Sequence, residues 1–132
     1  MSGFFVFDIE TLSTESTAVV LSAAIVYVDL TKESHTWESL YGDSLFVKFS
    51  VEEQAKTFKR LIEKSALDWW EKQCDITKRL SLYPKKSDLD AKSGIQILKK
   101  YITEHADPAK TLCWIRGSIC LLYTSEPTRP LY

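Results

Sequence analysis

The sequence predicts an α/β domain built around one mixed sheet, and three observations lead to this prediction. Runs rich in β-branched and aromatic residues at 3–8, 18–29 and 43–50 are joined by polar links, as in a three-strand antiparallel meander. From residue 51 to about residue 105, apolar residues recur at helical three-to-four spacing. Another β-rich run at 111–115 predicts a fourth strand, parallel to the first because a helical crossover precedes it.

The first half of the chain is divided by polar segments. Residues 30–42 are predicted to be a polar connection, in which His35-Thr36-Trp37 either extends the second strand or begins another. After the third strand, residues 51–63 are predicted to form a helix, because their apolar side chains fall on one face.

The second half of the chain predicts further helices. Ser65 and Asp68 resemble a capping box at the start of a short helix that ends near Cys74, and residues 75–82 suggest another helix. Ser87 is expected to be the N-cap of a long amphipathic helix. That helix is expected to carry Ala91, Ile95, Leu98 and Ile102 on one face and to end near His105, before Asp107-Pro108.

Size and composition limit the classes of protein. With 132 residues, the chain is long enough for one domain. A net charge of -1 excludes a global basic field, so any binding of nucleic acid would have to come from a local patch or through metal. The three cysteines show no Cys-x-x-Cys spacing, and no signal peptide is recognisable, which favours a cytoplasmic protein with reduced thiols. No apolar run reaches 18 residues, so no membrane span is expected.

The first strand ends in Asp8-Ile9-Glu10, the most informative pattern of the chain. Side chains two apart on a strand share a face and lie roughly 7 Å apart. Two such carboxylates repel each other unless a cation lies between them, and Mg²⁺ or Mn²⁺ is the natural occupant. An isolated pair of this kind more often marks a solvated strand end, but the apolar residues 3–7 indicate a buried strand with both acids at its mouth. Because the fourth strand is predicted beside the first, Arg116-Gly117 is expected near the acids.

Three segments together resemble a known family. Phe7-Asp8-Ile9-Glu10-Thr11 resembles the first motif of the DEDD 3′–5′ exonucleases, which have a ribonuclease H-like fold. The segment from Ser65 to Trp69-Trp70 resembles the Thr/Ser-x-x-Trp-Trp segment of the phage exonuclease A group and its bacterial exoribonuclease relatives. Trp114-Ile115-Arg116-Gly117 resembles the Trp-x-Arg/Asn-Gly stretch that precedes the second acidic motif of that group.

The resemblance implies two-metal phosphodiester hydrolysis at the 3′ end of RNA or single-stranded DNA, with two Mg²⁺ or Mn²⁺ ions. Asp8 would bridge or ligate the metals, and Glu10 would ligate one ion and orient the attacking water. Thr11 and Leu12 would contact the terminal nucleotide. Trp70 would stack on a base or line the pocket, although a core aromatic is the plainer interpretation of its position. RNA and DNA both remain open as substrates.

The pattern of four acids breaks towards the C-terminus. The second-motif Asp is expected near Leu121, yet no Asp follows Asp107. Residues 119–132, with Cys120-Leu-Leu-Tyr-Thr-Ser125, resemble a translated adapter used in DNA library preparation, and the alternative is a natural short tail. We therefore expect residues 1–118 to be the N-terminal part of an exonuclease domain that is incomplete at its C-terminus. The 132-residue chain is accordingly expected to be inactive and prone to aggregation.

Two alternatives compete with the interpretation as an enzyme. One is a non-catalytic module on a ribonuclease H-like fold that binds nucleic acid or protein, which a natural stop codon near residue 132 would favour. The other is a different ribonuclease H-like nuclease or a polymerase proofreading domain, which the Trp69-Trp70 segment argues against. Intact acidic motifs in the reading frame beyond the Gly117 codon would favour the exonuclease.

Overall fold

The computed structural model describes residues 2–116, in which four strands form one mixed sheet. The strands β1 (Gly3–Thr11), β2 (Val20–Asp29) and β3 (Leu45–Lys48) pair as antiparallel neighbours, and β4 (Cys113–Arg116) pairs parallel to β1. The order across the sheet is β3-β2-β1-β4. This arrangement confirms the predicted α/β class and is consistent with a ribonuclease H-like fold. The tail at 119–132 lies outside the described residues, so its predicted origin stays a prediction.

The helices lie between β2 and β4, mostly after β3. Their bounds are α1 (Trp37–Asp43), α2 (Val51–Lys56), α3 (Lys64–Glu71), α4 (Asp75–Thr77) with a π-helical segment (Lys78–Leu82) directly after it, and α5 (Ala91–His105). The predicted helix at residues 75–82 and the predicted end of the long helix at His105 are therefore confirmed.

Helix α1 corrects the prediction of an irregular polar connection at residues 30–42. The Ser39 N–H donates to Thr36 Oγ1 at 3.1 Å, and the Thr36 N–H donates to Ser39 Oγ at 3.2 Å. This reciprocal capping box stabilises the first turn without a buried apolar face, and α1 buries none of its residues. A helix of this kind leaves no periodic hydrophobic signal in the sequence.

Helix α2 is shorter than predicted, since it ends at Lys56 rather than near residue 63. The chain turns at Lys59, whose φ of 54° is in the left-handed region, and this turn ends the helical path. The segment that follows is bonded to the loop after β1: the Val19 N–H donates to Leu61 O and the Leu61 N–H donates to Thr17 O, both at 2.9 Å.

The capping box predicted at Ser65 and Asp68 is wrong. Helix α3 already begins at Lys64, with Glu63 as an N-cap that makes no side-chain capping bond. Asp68 instead pairs with Lys64 at 3.0 Å, one helical turn away. The short helix also ends at Glu71, before the predicted end near Cys74.

Helix α5 begins later than predicted, because Asp90 and not Ser87 is its N-cap. Asp90 accepts a hydrogen bond from the Ser93 N–H at 2.8 Å. The preceding residues run along β3: the Leu89 N–H donates to Lys48 O at 2.9 Å, and the Ser50 N–H donates to Leu89 O at 2.8 Å. This backbone pairing keeps the segment extended up to Asp90.

Helix α5 covers one face of the sheet. Ala23, Val47 and Phe49 form the buried cluster on this face, and Leu98 of the helix packs against it. The helix approaches closely at Gly94, where a Cβ atom would collide with the ring of Phe49. The predicted apolar face of the helix is thus partly confirmed, although Ile95 stays about half exposed.

A second cluster of buried residues joins the end of the sheet to α3. It contains Leu12, Val19, Leu21 and Trp70. Glu10 pairs with Ser22 but Thr11 pairs with Val20, so Leu21 is an extra residue in β2. Such a bulge shifts the alternation of side chains, which accounts for the packing of Leu21 in the cluster of Trp70 while its neighbour Val20 packs in the other cluster.

Part of the sheet face that carries Asp8 is exposed. Asp8 is in register with Ala24, which pairs with Phe46, and Val6 is in register with Trp114. Paired residues of neighbouring strands share a face, and both Phe46 and Trp114 are more than half exposed among the described residues. The predicted tendency of this chain to aggregate stays a prediction.

Candidate active site

A cleft of about 620 Å³ opens between the end of β1 and helix α3. One wall is the strand end, with Asp8, Ile9, Glu10 and Thr11. The other wall is the start of α3 and the segment before it. The residues that line the second wall and the loop between the walls are Ser13, Thr14, Glu63, Ser65, Ala66, Trp69 and Trp70.

The strand wall places two carboxylates side by side. Asp8 and Glu10 are both partly buried and lie on one face of β1, as the sequence predicts. Burial, and secondarily the negative charge of Asp8, raise the pKa of Glu10 above its usual range. Both causes disfavour the ionised form of Glu10. A cation bound beside the two carboxylates would offset their repulsion and favour the ionised form.

Strand β4 runs alongside the acids as predicted. Its parallel pairing with β1 puts the backbone of Arg116 in register with Asp8. The carboxyl end of β4 therefore lies beside Asp8 in the sheet, and sheets of this kind bind their ligands at the carboxyl ends of their strands.

The loop after β1 is hydrogen-bonded to the start of α3. The buried Ser13 hydroxyl donates to the Glu63 carboxylate and accepts from the Glu15 N–H at 3.0 Å. The Glu63 N–H donates to Leu12 O at 2.9 Å, and the Thr11 hydroxyl donates to Ser13 O at 2.6 Å. These bonds fix the two walls relative to each other.

The helix wall carries two indole rings with different surroundings. Trp70 is 2% exposed and packs in the cluster of Leu12 and Leu21, and its Nε1 donates to Thr11 O at 3.4 Å. Trp69 is 54% exposed. The two rings meet edge to face, with centroids 5.2 Å apart and planes at 88°.

The structure brings most of the predicted site residues together. Asp8, Glu10, Thr11 and Trp70 all line the cleft, whereas Leu12 is buried beneath it in the core. Their proposed catalytic, metal-binding and substrate-binding roles remain predictions. The burial of Trp70 favours the interpretation as a core aromatic that also closes the back of the cleft.

Sequence reasoning missed Ser13, Glu63 and Trp69. Ser13 and Glu63 are 50 positions apart and polar, so no local pattern joins them. Trp69 precedes Trp70, and successive residues on a helix point about 100° apart, so only one of the two rings can face the core. The adjacent positions of Trp69 and Trp70 therefore indicate that their surroundings differ, but they do not indicate which ring is buried.

The described residues supply only part of the ligands that a metal ion would need. Among residues 2–116, no group of three or more His, Cys, Asp and Glu side chains is arranged to hold a metal ion. Asp8 and Glu10 nonetheless offer the carboxylate oxygens that hard divalent cations prefer. The donor chemistry of this pair therefore fits part of a Mg²⁺ or Mn²⁺ shell.

The fold is a mixed α/β sheet with a carboxylate pair in its cleft, and comparison with known proteins gives the class of this domain. Residues 4–121 match the family of the 3′-5′ exoribonuclease Rv2179c-like domain, so the chain belongs to that family. It is also 30% identical over 115 residues to an exodeoxyribonuclease of Enterobacteria phage T4. That stretch is 86% of this chain and 49% of the phage protein, so the chain spans about half the length of this relative.

No solved structure matches the chain with statistical significance. The family match confirms the predicted membership in this exonuclease group, and a nucleic acid is the substrate that such a family implies. Within the described residues, no helix combines the length and the apolar composition needed to cross a membrane.

Proposed function

We propose that this chain contributes the first part of the active site of a metal-dependent 3′–5′ exonuclease acting on RNA or single-stranded DNA. The observation that carries the proposal is the pair Asp8 and Glu10, held partly buried on one cleft wall with the pKa of Glu10 raised. A carboxylate pair of this kind costs stability unless it binds a cation, and phosphodiester hydrolysis is chemistry that bound cations support.

In this proposal, Asp8 and Glu10 hold the divalent ions. When bound, two Mg²⁺ or Mn²⁺ ions would supply an activated water and stabilise the charge on the leaving 3′-oxygen. Glu10 would ligate one ion and orient the attacking water from its partly buried position at the strand end. Asp8 lies in register with Arg116 of β4, so the ions would lie where the two parallel strands end.

The loop after β1 positions the terminal nucleotide in this proposal. Thr11 has a fixed backbone, because Trp70 Nε1 donates to its carbonyl and its hydroxyl is bonded to Ser13 O. It therefore contacts the nucleotide from a rigid edge of the cleft. Leu12 acts from the core by holding that edge in place.

The relatives do not decide whether the sugar of the substrate is ribose or deoxyribose. The matching family is described as exoribonuclease, and the phage relative is called an exodeoxyribonuclease. A contact with the 2′-hydroxyl distinguishes the two sugars. Both substrates therefore belong in the assay, and a cytoplasmic location remains a prediction.

A nuclease assay tests the proposal. Because the chain spans half of its phage relative, the assay uses the product of the complete reading frame in parallel with the 132-residue chain. Each is incubated with 5′-labelled single-stranded RNA or DNA, with Mn²⁺ or with EDTA. We expect the complete product to shorten the substrate from its 3′ end only with metal, and the 132-residue chain to be inactive.

The control variants are Asp8→Ala and Glu10→Gln, with Glu15→Gln as the matched exposed acid outside the cleft. Loss of a metal ligand is expected to lower the rate by at least about 10²-fold, and Glu15→Gln is expected to keep it. Cleavage that survives Asp8→Ala, or a complete product with no nuclease activity, would refute the proposal.

A non-catalytic binding module is the second candidate. The observation that favours it is that residues 2–116 place no group of three metal-ligating side chains together. Under this alternative, the complete reading frame lacks further acidic motifs, and single-stranded nucleic acid is bound but not shortened.

A further inference from the structure

The segment at residues 72–86, called the basic segment below, carries a concentrated positive charge. It contains five lysine or arginine side chains and one acidic side chain, whereas the whole chain has a net charge of -1. Four of the five basic side chains are exposed, and they are Lys72, Arg79, Lys85 and Lys86. In the part of the chain that the structure describes, none of these four forms an ion pair. Exposed lysines are common on any protein surface, so the position of these four decides what they can do.

The first half of the basic segment continues the helix wall of the cleft. Ser65 in the first turn of α3 lines the cleft, and Lys72 is the C-cap of the same helix. Lys72 comes seven residues after Ser65, which is about 10 Å along a helix axis. The Lys78 ammonium donates to Glu71 O at 3.3 Å, which holds the π-helical segment against the end of α3. Lys72 and Arg79, the residues that follow this bonded pair, are therefore brought to one region.

The second half of the basic segment is anchored on the sheet face that carries the acids. The Lys85 N–H donates to Asp88 Oδ2 at 2.9 Å, and the same oxygen pairs with Lys48 Nζ at 2.8 Å, with both side chains of that ion pair buried. Lys48 is in register with Ser22, which is in register with Glu10, and paired residues share a face of the sheet. The turn that begins at Lys85 is therefore fixed on the same side of the sheet as Glu10.

The middle of the basic segment has an uncommon backbone. In the π-helical segment, the Tyr83 N–H donates to Lys78 O at 2.9 Å, five residues earlier. Such turns are rare and are frequently found at functional sites. Leu82 packs against the cluster of Trp70, which fixes this turn to the helix wall while Arg79 stays exposed.

A surface of this kind beside the cleft suits a polyanion. Lysine and arginine side chains bind the phosphates of a nucleic acid without reading its base sequence. We propose that the basic segment binds the phosphodiester backbone of the nucleic acid outside the cleft, which makes polynucleotides of any sequence, and not dinucleotides, the substrate class. This inference rests on the proposed function, since it describes how the same cleft takes its substrate.

The test is the salt dependence of binding, measured by fluorescence anisotropy on the 132-residue chain without divalent metal. The probes are 5′-fluorescein 10-mers of RNA and of DNA, each in two unrelated base sequences, from about 50 to 200 mM KCl. One paired variant is Lys72→Gln with Arg79→Gln, the other is Lys85→Gln with Lys86→Gln, and a quadruple variant combines them. Circular dichroism checks that each variant keeps its fold.

The matched control is Lys92→Gln with Lys99→Gln, which changes the net charge as much as each paired variant does. Both lysines are exposed on α5. That helix packs through Leu98 on the face of Phe7, and successive side chains of a strand point to opposite faces, so α5 lies on the other side of the sheet from Asp8. A general effect of net charge would appear in this control, whereas a phosphate-binding surface would not.

We expect each paired variant to reduce the slope of log K against log [KCl] by about 1.4, because each lost phosphate contact contributes about 0.7 on a single strand. The quadruple variant should reduce the slope by about 2.8 and raise the Kd at about 50 mM KCl at least tenfold, equally for all four probes. The control pair should change the slope less than half as much as either paired variant. Asp8→Ala should keep the binding, since Asp8 lies outside the basic segment.

Three results would overturn the inference: an unchanged slope in the quadruple variant, an equal change in the control pair, or no binding by the unsubstituted chain at the lowest salt. Vesicles of phosphatidylcholine and phosphatidylserine in equal parts test the other anionic surface. Vesicle binding that needs the four side chains, with oligonucleotide binding that does not, would assign the surface to a membrane and also overturn the inference. The proposed function is decided separately, because a complete product that binds these probes but does not shorten them would refute the nuclease and leave the binding surface in place.

Discussion

The two walls of the cleft have opposite effects on the folding free energy. The strand wall carries Asp8 and Glu10, and their proximity together with burial raises the pKa of Glu10, so the ionised wall costs folding free energy. The helix wall carries Trp70, whose full burial contributes folding free energy, beside the exposed ring of Trp69.

This difference separates residues that stabilise the fold from residues that do not stabilise it or that lower its stability. A charged pair that lowers stability, or an indole that stays half exposed, is explained by a ligand more readily than by packing. The burial of Trp70 is explained by packing. Substitutions on the two walls should therefore change the free energy of unfolding by different amounts and with different signs.

Replacing the buried indole should damage the fold most. Trp70→Ala should lower the free energy of unfolding by about 3–5 kcal/mol, because it removes a large core side chain and leaves a cavity beside Leu12 and Leu21. The matched control is Trp69→Ala on the same helix, which should cost about 1–2 kcal/mol because about half of this side chain is already exposed. Urea denaturation followed by circular dichroism measures both, and similar losses would contradict the distinction between the two rings.

The strand wall was the part of the site that the sequence predicted best. Side chains two positions apart on a strand point to the same face, so alternation alone puts Asp8 and Glu10 together. The parallel strand beside it follows from the crossover rule, and the structure confirms both. Both predictions rest on short-range geometry, which a single sequence contains.

The helix wall was predicted less well because it depends on contacts between distant residues. Glu63 is a half-buried acid whose partner Ser13 comes 50 positions earlier, and nothing local marks the pair. The start of α5 was misplaced for the same reason, since the pairing of Leu89 with the backbone at Lys48 and Ser50 keeps the chain extended past Ser87. Tertiary hydrogen bonds of this kind override local capping preferences.

The hydrogen bond between the walls should have an intermediate effect. Ser13→Ala should lower the free energy of unfolding by about 1–3 kcal/mol, because it removes a buried hydroxyl that donates to the Glu63 carboxylate and accepts from the Glu15 N–H. Ser16→Ala is the matched control, since Ser16 is exposed and its backbone carbonyl, not its side chain, accepts from Arg60. It should change stability by less than about 0.5 kcal/mol.

A double-mutant cycle isolates that bond. Ser13→Ala and Glu63→Ala together should cost less than the sum of the two single changes, because both remove the same interaction. Strict additivity would show that Ser13 and Glu63 stabilise the two walls independently, and the cleft would then not depend on this contact.

The smallest effect is expected on the strand wall, and it has the opposite sign. The pKa of Glu10 is raised in the folded chain, so the folded state binds a proton more tightly than the unfolded state. Stability therefore falls as the pH rises from the unfolded pKa of Glu10 through its folded pKa, and the full cost is present above the folded pKa. Glu10→Gln removes this cost, and it should raise the free energy of unfolding at pH 7 by less than about 1 kcal/mol after allowance for solvent screening.

Two comparisons make this last prediction specific. The gain from Glu10→Gln should shrink at a pH below the unfolded pKa of Glu10, where the carboxyl is protonated in both states. Adding Mn²⁺ should raise the Tm of the unsubstituted chain more than that of Glu10→Gln, because an ion that binds only the folded state stabilises it. A Glu10→Gln variant that is less stable at pH 7 in the absence of metal would mean that Glu10 holds the strand end together as a structural residue. The contrast between the two walls would then be wrong.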